Sequence, residues 1–261
     1  LHFLMWPNNI AALAWMPFVI LTVAAATRTG GRKIVWAGLV GGVQLLTGAP
    51  EIILLTWILA GILVLPTLTM AFRSGVRETV RLVGAAGLAA LVAAAQLLPF
   101  LDLLRHSHRD ASFASNMDWA MPGTGWANFV VPLFRSFDGR QGVRWQLNQA
   151  WTSSYYVGIA VLMLALATLV CVRRRQVVGL GIALLVSLLF ALGAAGHVYP
   201  LALKILPALG MIRFPIKFVV LAVFCLPLLA AFFVAELQAS RGVNRERQLA
   251  RVLWGIGGTL V

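Results

Sequence analysis

Arg105 and Arg109 lie four residues apart, with His106 and His108 between them and Asp102 and Asp110 on either side. Further along, Arg213 and Lys217 are also four apart, around Phe214-Pro215-Ile216. A guanidinium offers a planar fork of donors that matches phosphate oxygens, and an ammonium adds a compact point charge. These four cations are therefore candidates to hold a phosphate. Glu51, Asp102, Asp110 and Asp118, with Asp138 beyond them, are the carboxylates that could take a proton from an attacking hydroxyl. Plainer roles compete in each case. Asp102 and Asp110 could simply pair with the basic cluster, and that cluster could be a solvated turn at lipid headgroups. Arg213 and Lys217 could lay their aliphatic stems in a membrane interface. His106 and His108, at i and i+2, face apart on a helix and together on a strand. No third ligand stands at a suggestive spacing, so no metal site is expected, and these two are the weak candidates for one.

The elements that must position these groups are apolar spans. Residues Asn9–Ala26, Ile34–Leu46, Ile52–Phe72, Leu82–Pro99, Tyr155–Val172, Val177–Leu192 and Phe218–Val234 are nearly free of charge, and an eighth apolar run starts near Val252. Several approach the roughly 20 residues that a helix needs to cross a hydrocarbon core of about 30 Å. Hydrophobic residues make up 61% of the 261 and charged residues only 11%, against about 25% charged in a soluble domain. The sequence therefore predicts an all-α, polytopic integral membrane protein with seven to eight transmembrane helices and a long external loop. It reads as one membrane domain over 1–261, cut from a longer chain. The net charge of +13 fits basic flanks of spans, and no basic helix or basic-aromatic module points to nucleic acid. Cys171 and Cys225 fall inside spans, which excludes a disulfide framework and a cysteine metal site.

Lys and Arg divide between alternate connections. Arg28, Arg32 and Lys33, then Arg73, Arg77 and Arg81, then Arg173–Arg175, then Arg241, Arg245, Arg247 and Arg251 mark one side, which the positive-inside rule assigns to the cytoplasm. The long loop 101–154 and the second loop 193–217 fall outside. Ile34–Leu46 is short, and Pro66 interrupts the next span after a similar length. The pair is either a hairpin whose apex Thr47–Glu51 lies below the outer surface or an ordinary tilted pair with Glu51 at the interface.

In the long loop, Thr124 is expected to cap a short helix through Phe134, broken at Pro132, with Trp126, Phe129, Val130 and Leu133 on one face against the membrane surface. Trp119, Trp126, Trp145 and Trp151 are either interfacial anchors or platforms for sugar stacking. In the second loop, Pro215 fixes its own φ and pushes Phe214 toward an extended conformation, so Arg213 and Lys217 flank a stiff approach to the last long span.

The order of these pieces resembles the YfhO-like bacterial membrane proteins, relatives of the GT-C glycosyltransferases. The resemblance rests on Gln96-Leu97-Leu98-Pro99 followed by Ser107-His108-Arg109, on Tyr155-Tyr156-Val157-Gly158 opening a span, and on Leu206-Pro207 through Arg213-Phe214-Pro215-Ile216-Lys217-Phe218. It covers residues 6–235. Leu46-Thr47-Gly48-Ala49-Pro50-Glu51 is similar to a family turn usually written Gly-His-Pro-Gln, from which Ala49 and Glu51 depart. The resemblance implies a multi-pass enzyme of the bacterial cytoplasmic membrane. Its donor would be a polyprenyl-phosphate-linked sugar and its acceptor a cell-envelope polymer or lipid, glycosylated on the external face. It also implies that the main catalytic acid lies in a first external loop upstream of Leu1. A divalent cation is left open.

Two other classes compete. A lipid or polysaccharide flippase or transporter would place ionisable groups near the midplane, where the spans offer only Gln44, Gln96 and Glu51. A non-catalytic membrane assembly subunit would need no site at all.

Overall fold

The structure, a computed structural model, describes residues 6–68, 72–106, 119–139, 144–147, 149–152, 154–206, 209–210, 212–239 and 251–258, with side chains outside 65–74. The described residues form mainly helices: α1 (Pro7–Thr29), α2 (Arg32–Leu45), α3 (Pro50–Leu68), α4 (Phe72–Val92), α5 (Ala94–His106), α6 (Ile159–Cys171), α7 (Arg175–Ala191), α8 (Val198–Ile205) and α9 (Val219–Ala239). Strands β1 (Ser136–Asp138) and β2 (Arg144–Gln146) make an antiparallel hairpin between α5 and α6. Such apolar segments become helices because a helix satisfies its own backbone where water is excluded. Packing divides the chain into two compact units, Phe3–Ser115 and Asn116–Val261.

Pro7–Thr29 and Pro215–Ala239, at 23 and 25 residues, are long and apolar enough to cross a membrane. A third candidate is the pair α4 and α5, but a bend of 87° separates its halves. α6 and α7 are apolar yet have only 13 and 17 residues, about 20 and 26 Å as helices. Length and composition thus support two to three spans, and the seven to eight expected from hydropathy include shorter pieces.

In the first unit, α2 and α4 run parallel in close contact because α2 is studded with glycine. A Cβ at Gly38 would lie 2.6 Å from the Leu88 side chain, and one at Gly42 would lie 2.5 Å from Val92 and 3.3 Å from the Ala89 carbonyl. Small residues of this kind let helix backbones approach where lipid supplies no hydrophobic drive. At one end of the unit the Arg81 guanidinium donates to the Thr27 and Arg28 carbonyls, 2.8 and 2.9 Å away. It thereby supplies partners to the unsatisfied C-terminus of α1. At the other end the Asn8 amide donates to the Gly48 carbonyl at 3.2 Å. Gly48 sits at φ +73, and its missing side chain leaves room for the Gln96 amide, 3.2 Å from where a Cβ would be. The α2–α3 turn therefore reaches the first turn of α1. Fully buried Gln44 donates to the Ala12 carbonyl and to the Thr56 hydroxyl at 3.0 and 2.9 Å, joining α1, α2 and α3.

In the second unit α6 packs on α9, where the buried Thr168 hydroxyl donates to the Leu229 carbonyl at 2.7 Å. Glu236 is 8% exposed near the end of α9, and Arg174 donates to it at 3.0 Å from the α6–α7 turn. That ion pair fastens the basic end of this unit.

Several expectations need correction. The segment Leu82–Pro99 is not one straight helix, because the chain breaks after Val92 and turns into α5. The helix expected to open at Tyr155 starts at Ile159, and Tyr155–Gly158 is irregular chain. α3 continues to Leu68, so Pro66 lies in its last turn and does not cut the helix midway. Thr124 makes no cap: a 3-10 turn spans Gly123–Phe129 behind Pro122, burying Phe129 at 5% exposure and leaving Trp126 at 40%. Trp126 and Phe129 thus differ in burial.

Candidate functional site

The structure brings Arg213 and Lys217 together on one ring. Phe214, just before Pro215, is extended at φ −118 and ψ 115, as the steric demand of the following proline requires. A 3-10 turn over Pro215–Phe218 then runs into α9. This tight turn carries the Lys217 ammonium back over the Phe214 ring, 5.0 Å from its centroid, while the Arg213 guanidinium carbon stands 5.3 Å from the same centroid. Cations over an aromatic face are held by its quadrupole. Arg213 is exposed, whereas Lys217 is only 6% exposed.

The platform is fixed from two directions. Trp119 stacks on Phe214 with centroids 4.4 Å apart and planes 24° apart, and the Ile216 N–H donates to the Trp119 carbonyl at 3.2 Å. Trp119 itself has φ 56, a left-handed conformation uncommon outside glycine. Next to it, the Met121 N–H donates to the Ala191 carbonyl at 2.7 Å and ties the segment to the end of α7. On the other side, fully buried Tyr199 of α8 donates to the Leu209 and Ile212 carbonyls at 3.3 and 3.2 Å. Its ring joins Phe190 and Phe218 in a cluster with centroids 5.1–5.4 Å apart. The chain leading into Arg213 is thereby pinned to α7 and α8. Trp119 and Tyr199 are the positioning residues that sequence reasoning missed in this role. Their partners lie 95 and about a dozen residues away, and no periodic pattern marks the pairing.

The rest of the long loop folds around a buried amide network. The Gln149 amide donates to the Gln146 side chain at 2.8 Å and to the Thr152 carbonyl, while its oxygen accepts from the Trp151 and Thr152 N–H groups at 2.9 and 3.0 Å. Asn128 accepts from Ser154 and from the Tyr155 N–H at 3.1 and 3.3 Å. Tyr155 closes over Gly125, where a Cβ would come 2.3 Å from the phenol oxygen. Burial pushes that phenol up to about 12, and the adjacent Gln146 side chain offsets part of the shift.

The local charge is one-sided. Among the described residues of 119–158 and 193–218, Arg135, Arg144, Lys204, Arg213 and Lys217 face a single carboxylate, Asp138. Asp138 is already paired with Arg144 at 2.9 Å across the hairpin. Cations thus outnumber carboxylates in these segments.

The other sequence candidates lie elsewhere. Glu51 is half-exposed in the first turn of α3. Asp102, Arg105 and His106 are all exposed at the end of α5. There the His106 Nδ1 is 3.5 Å from the Asp102 carboxylate and 2.9 Å from the Asp102 carbonyl oxygen. His108, Arg109, Asp110 and Asp118 lie outside the described residues. Among the described residues no group of three His, Cys, Asp or Glu side chains could hold a metal. Comparison with family models, with curated proteins and with solved structures finds no match for this chain.

Proposed function

We propose that this chain is the membrane core of a GT-C-type glycosyltransferase of the bacterial cytoplasmic membrane. In this reading it spans the bilayer seven to eight times and transfers a sugar from a polyprenyl-phosphate donor to a cell-envelope acceptor on the external face. The observation that carries the reading is the pair Arg213 and Lys217 on the Phe214 ring, at the start of the helix Pro215–Ala239. A polyprenyl phosphate keeps its chain in lipid and its charge at the boundary, which is where a spanning helix begins.

The chemistry follows from that placement. As the glycosidic C–O bond to the donor phosphate breaks, negative charge builds on the leaving phosphate oxygens, and fixed cations stabilise it. Arg213 supplies a bidentate fork and Lys217 a second charge, with Arg105 and Arg109 as further donor-binding candidates. A carboxylate takes the proton from the acceptor hydroxyl, and Glu51, Asp102, Asp110 and Asp118 are the supporting candidates on this chain.

The test is polyprenyl-phosphate binding to the purified protein in detergent. Arg213→Lys keeps the charge but loses the fork, so it should weaken binding; Arg213→Ala should weaken it further, with the protein still inserted and monodisperse. Charge-assisted hydrogen bonds of about 1.5–3 kcal/mol correspond to roughly a tenfold to a hundredfold loss. Equal affinity for wild type and both variants removes Arg213 from the site. Movement of labelled lipid across vesicles without sugar transfer would assign the protein to the flippases instead.

A further inference from the structure

α5 is a 13-residue helix in which no residue is buried, and it leaves α4 at 87°. Its level in the unit can be read from its neighbours. Gln96, in its first turn, lies against Gly48, and Gly48 in turn is bonded to Asn8 at the start of α1. The opposite end of α1 is marked by Arg81 on the Thr27 carbonyl. From Asn8 to Thr27 the helix rises about 29 Å, close to the hydrocarbon thickness of about 30 Å. The Gln96 amide therefore reaches toward the Asn8 end of α1 and lies away from the Arg81 end. A helix that departs there at right angles to α4 runs in the plane of the membrane surface.

The residue pattern of α5 fits that plane. At 100° per residue, Phe100, Leu104, Leu97, Leu101 and Leu98 cover an arc of about 160°. Asp102 and His106 lie beyond its Leu98 edge and contact one another, and Leu103, 67% exposed, follows them outside the arc. Leu98 and Leu101 remain 66% and 41% exposed, although they adjoin half-buried Leu97 and Phe100. Arg105 falls inside the arc, between Leu101 and Leu98, where its stem can lie in the acyl boundary and its charge can reach up to a phosphate.

We infer that α5 is an in-plane lipid anchor. Its apolar arc is seated in the interfacial layer, Asp102 and His106 face water, and Arg105 stands at headgroup depth. The inference does not depend on sugar transfer. It concerns a surface of the first unit, and its occupant is the lipid of the leaflet at that end.

Site-directed spin labelling of the full chain in nanodiscs of phosphatidylcholine and phosphatidylglycerol tests it. Labels placed singly at Leu97, Leu98, Leu101, Asp102, Leu103 and His106 would be read for collision with oxygen and with a water-soluble nickel chelate. Leu98 and Leu101 are exposed, so labels there leave the packing intact. The expected result is oxygen contact at Leu97, Leu98 and Leu101, nickel contact at Asp102 and His106, and equal depth for Leu98 and Leu101. A depth that changes steadily from Leu97 to His106 would make α5 the continuation of a span. Low collision with both reagents at Leu98 and Leu101 would mean that protein covers this face. Either outcome overturns the inference.

Discussion

Trp119 lies flat on Phe214, 4.4 Å away, although the two residues belong to different loops. The contact makes the platform under Arg213 and Lys217 a joint product of both. Aromatic pairs of this kind contribute about 0.5–1.5 kcal/mol beyond the area they bury. Trp119→Ala should therefore lower stability and also reduce polyprenyl-phosphate affinity, although Trp119 carries no charge. A double-mutant cycle with Phe214→Leu, followed by thermal unfolding in detergent, should return a coupling of that size. A coupling near zero would reduce the stack to incidental contact.

The glycine seam of α2 gives a differential prediction. Gly42→Val places atoms where Val92 already lies at 2.5 Å and the Ala89 backbone at 3.3 Å. Overpacking against backbone costs about 1–3 kcal/mol or more, so this variant should unfold earlier. Gly87→Ala on α4 meets nothing within 4 Å and should be neutral or raise stability by about 0.4–1 kcal/mol. Unfolding midpoints of the two variants, measured side by side, check the sign of each.

Sidedness follows from the charge pattern. Phe137, 59% exposed on the hairpin, and Arg28, exposed near the end of α1, should fall on opposite faces of the membrane. Cysteine at Phe137 should react with an impermeant maleimide in intact cells, and cysteine at Arg28 only after permeabilisation. The reverse pattern inverts the topology.

Hydropathy made α1 and the helix Pro215–Ala239 legible in the sequence, because long uncharged runs have few alternatives. The extended Phe214 was legible too, since Pro215 acts on its immediate neighbour. The bend after Val92 was not, because Val92-Ala93-Ala94-Ala95 contains neither Pro nor Gly. The hairpin escaped notice because Ser136–Asp138 and Arg144–Gln146 are three residues each, too few to display alternation. For the site, the pairing of Arg213 with Lys217 could be read from spacing, but their support by Trp119 and Tyr199 could not. Contacts across long stretches of chain leave no local signature. Glu236 carried no signal either: a lone acid near the end of an apolar helix gives no hint of a partner 62 residues away.

The Arg81 guanidinium that closes the end of α1 is made 54 residues after the carbonyl it binds. At about 5–20 residues per second, α1 waits several seconds of synthesis for its own cap. During that interval the carbonyls of Thr27 and Arg28 lack this donor. Closure of the α1 end therefore depends on α4, and a chain truncated before Arg81 would leave those two carbonyls without the guanidinium.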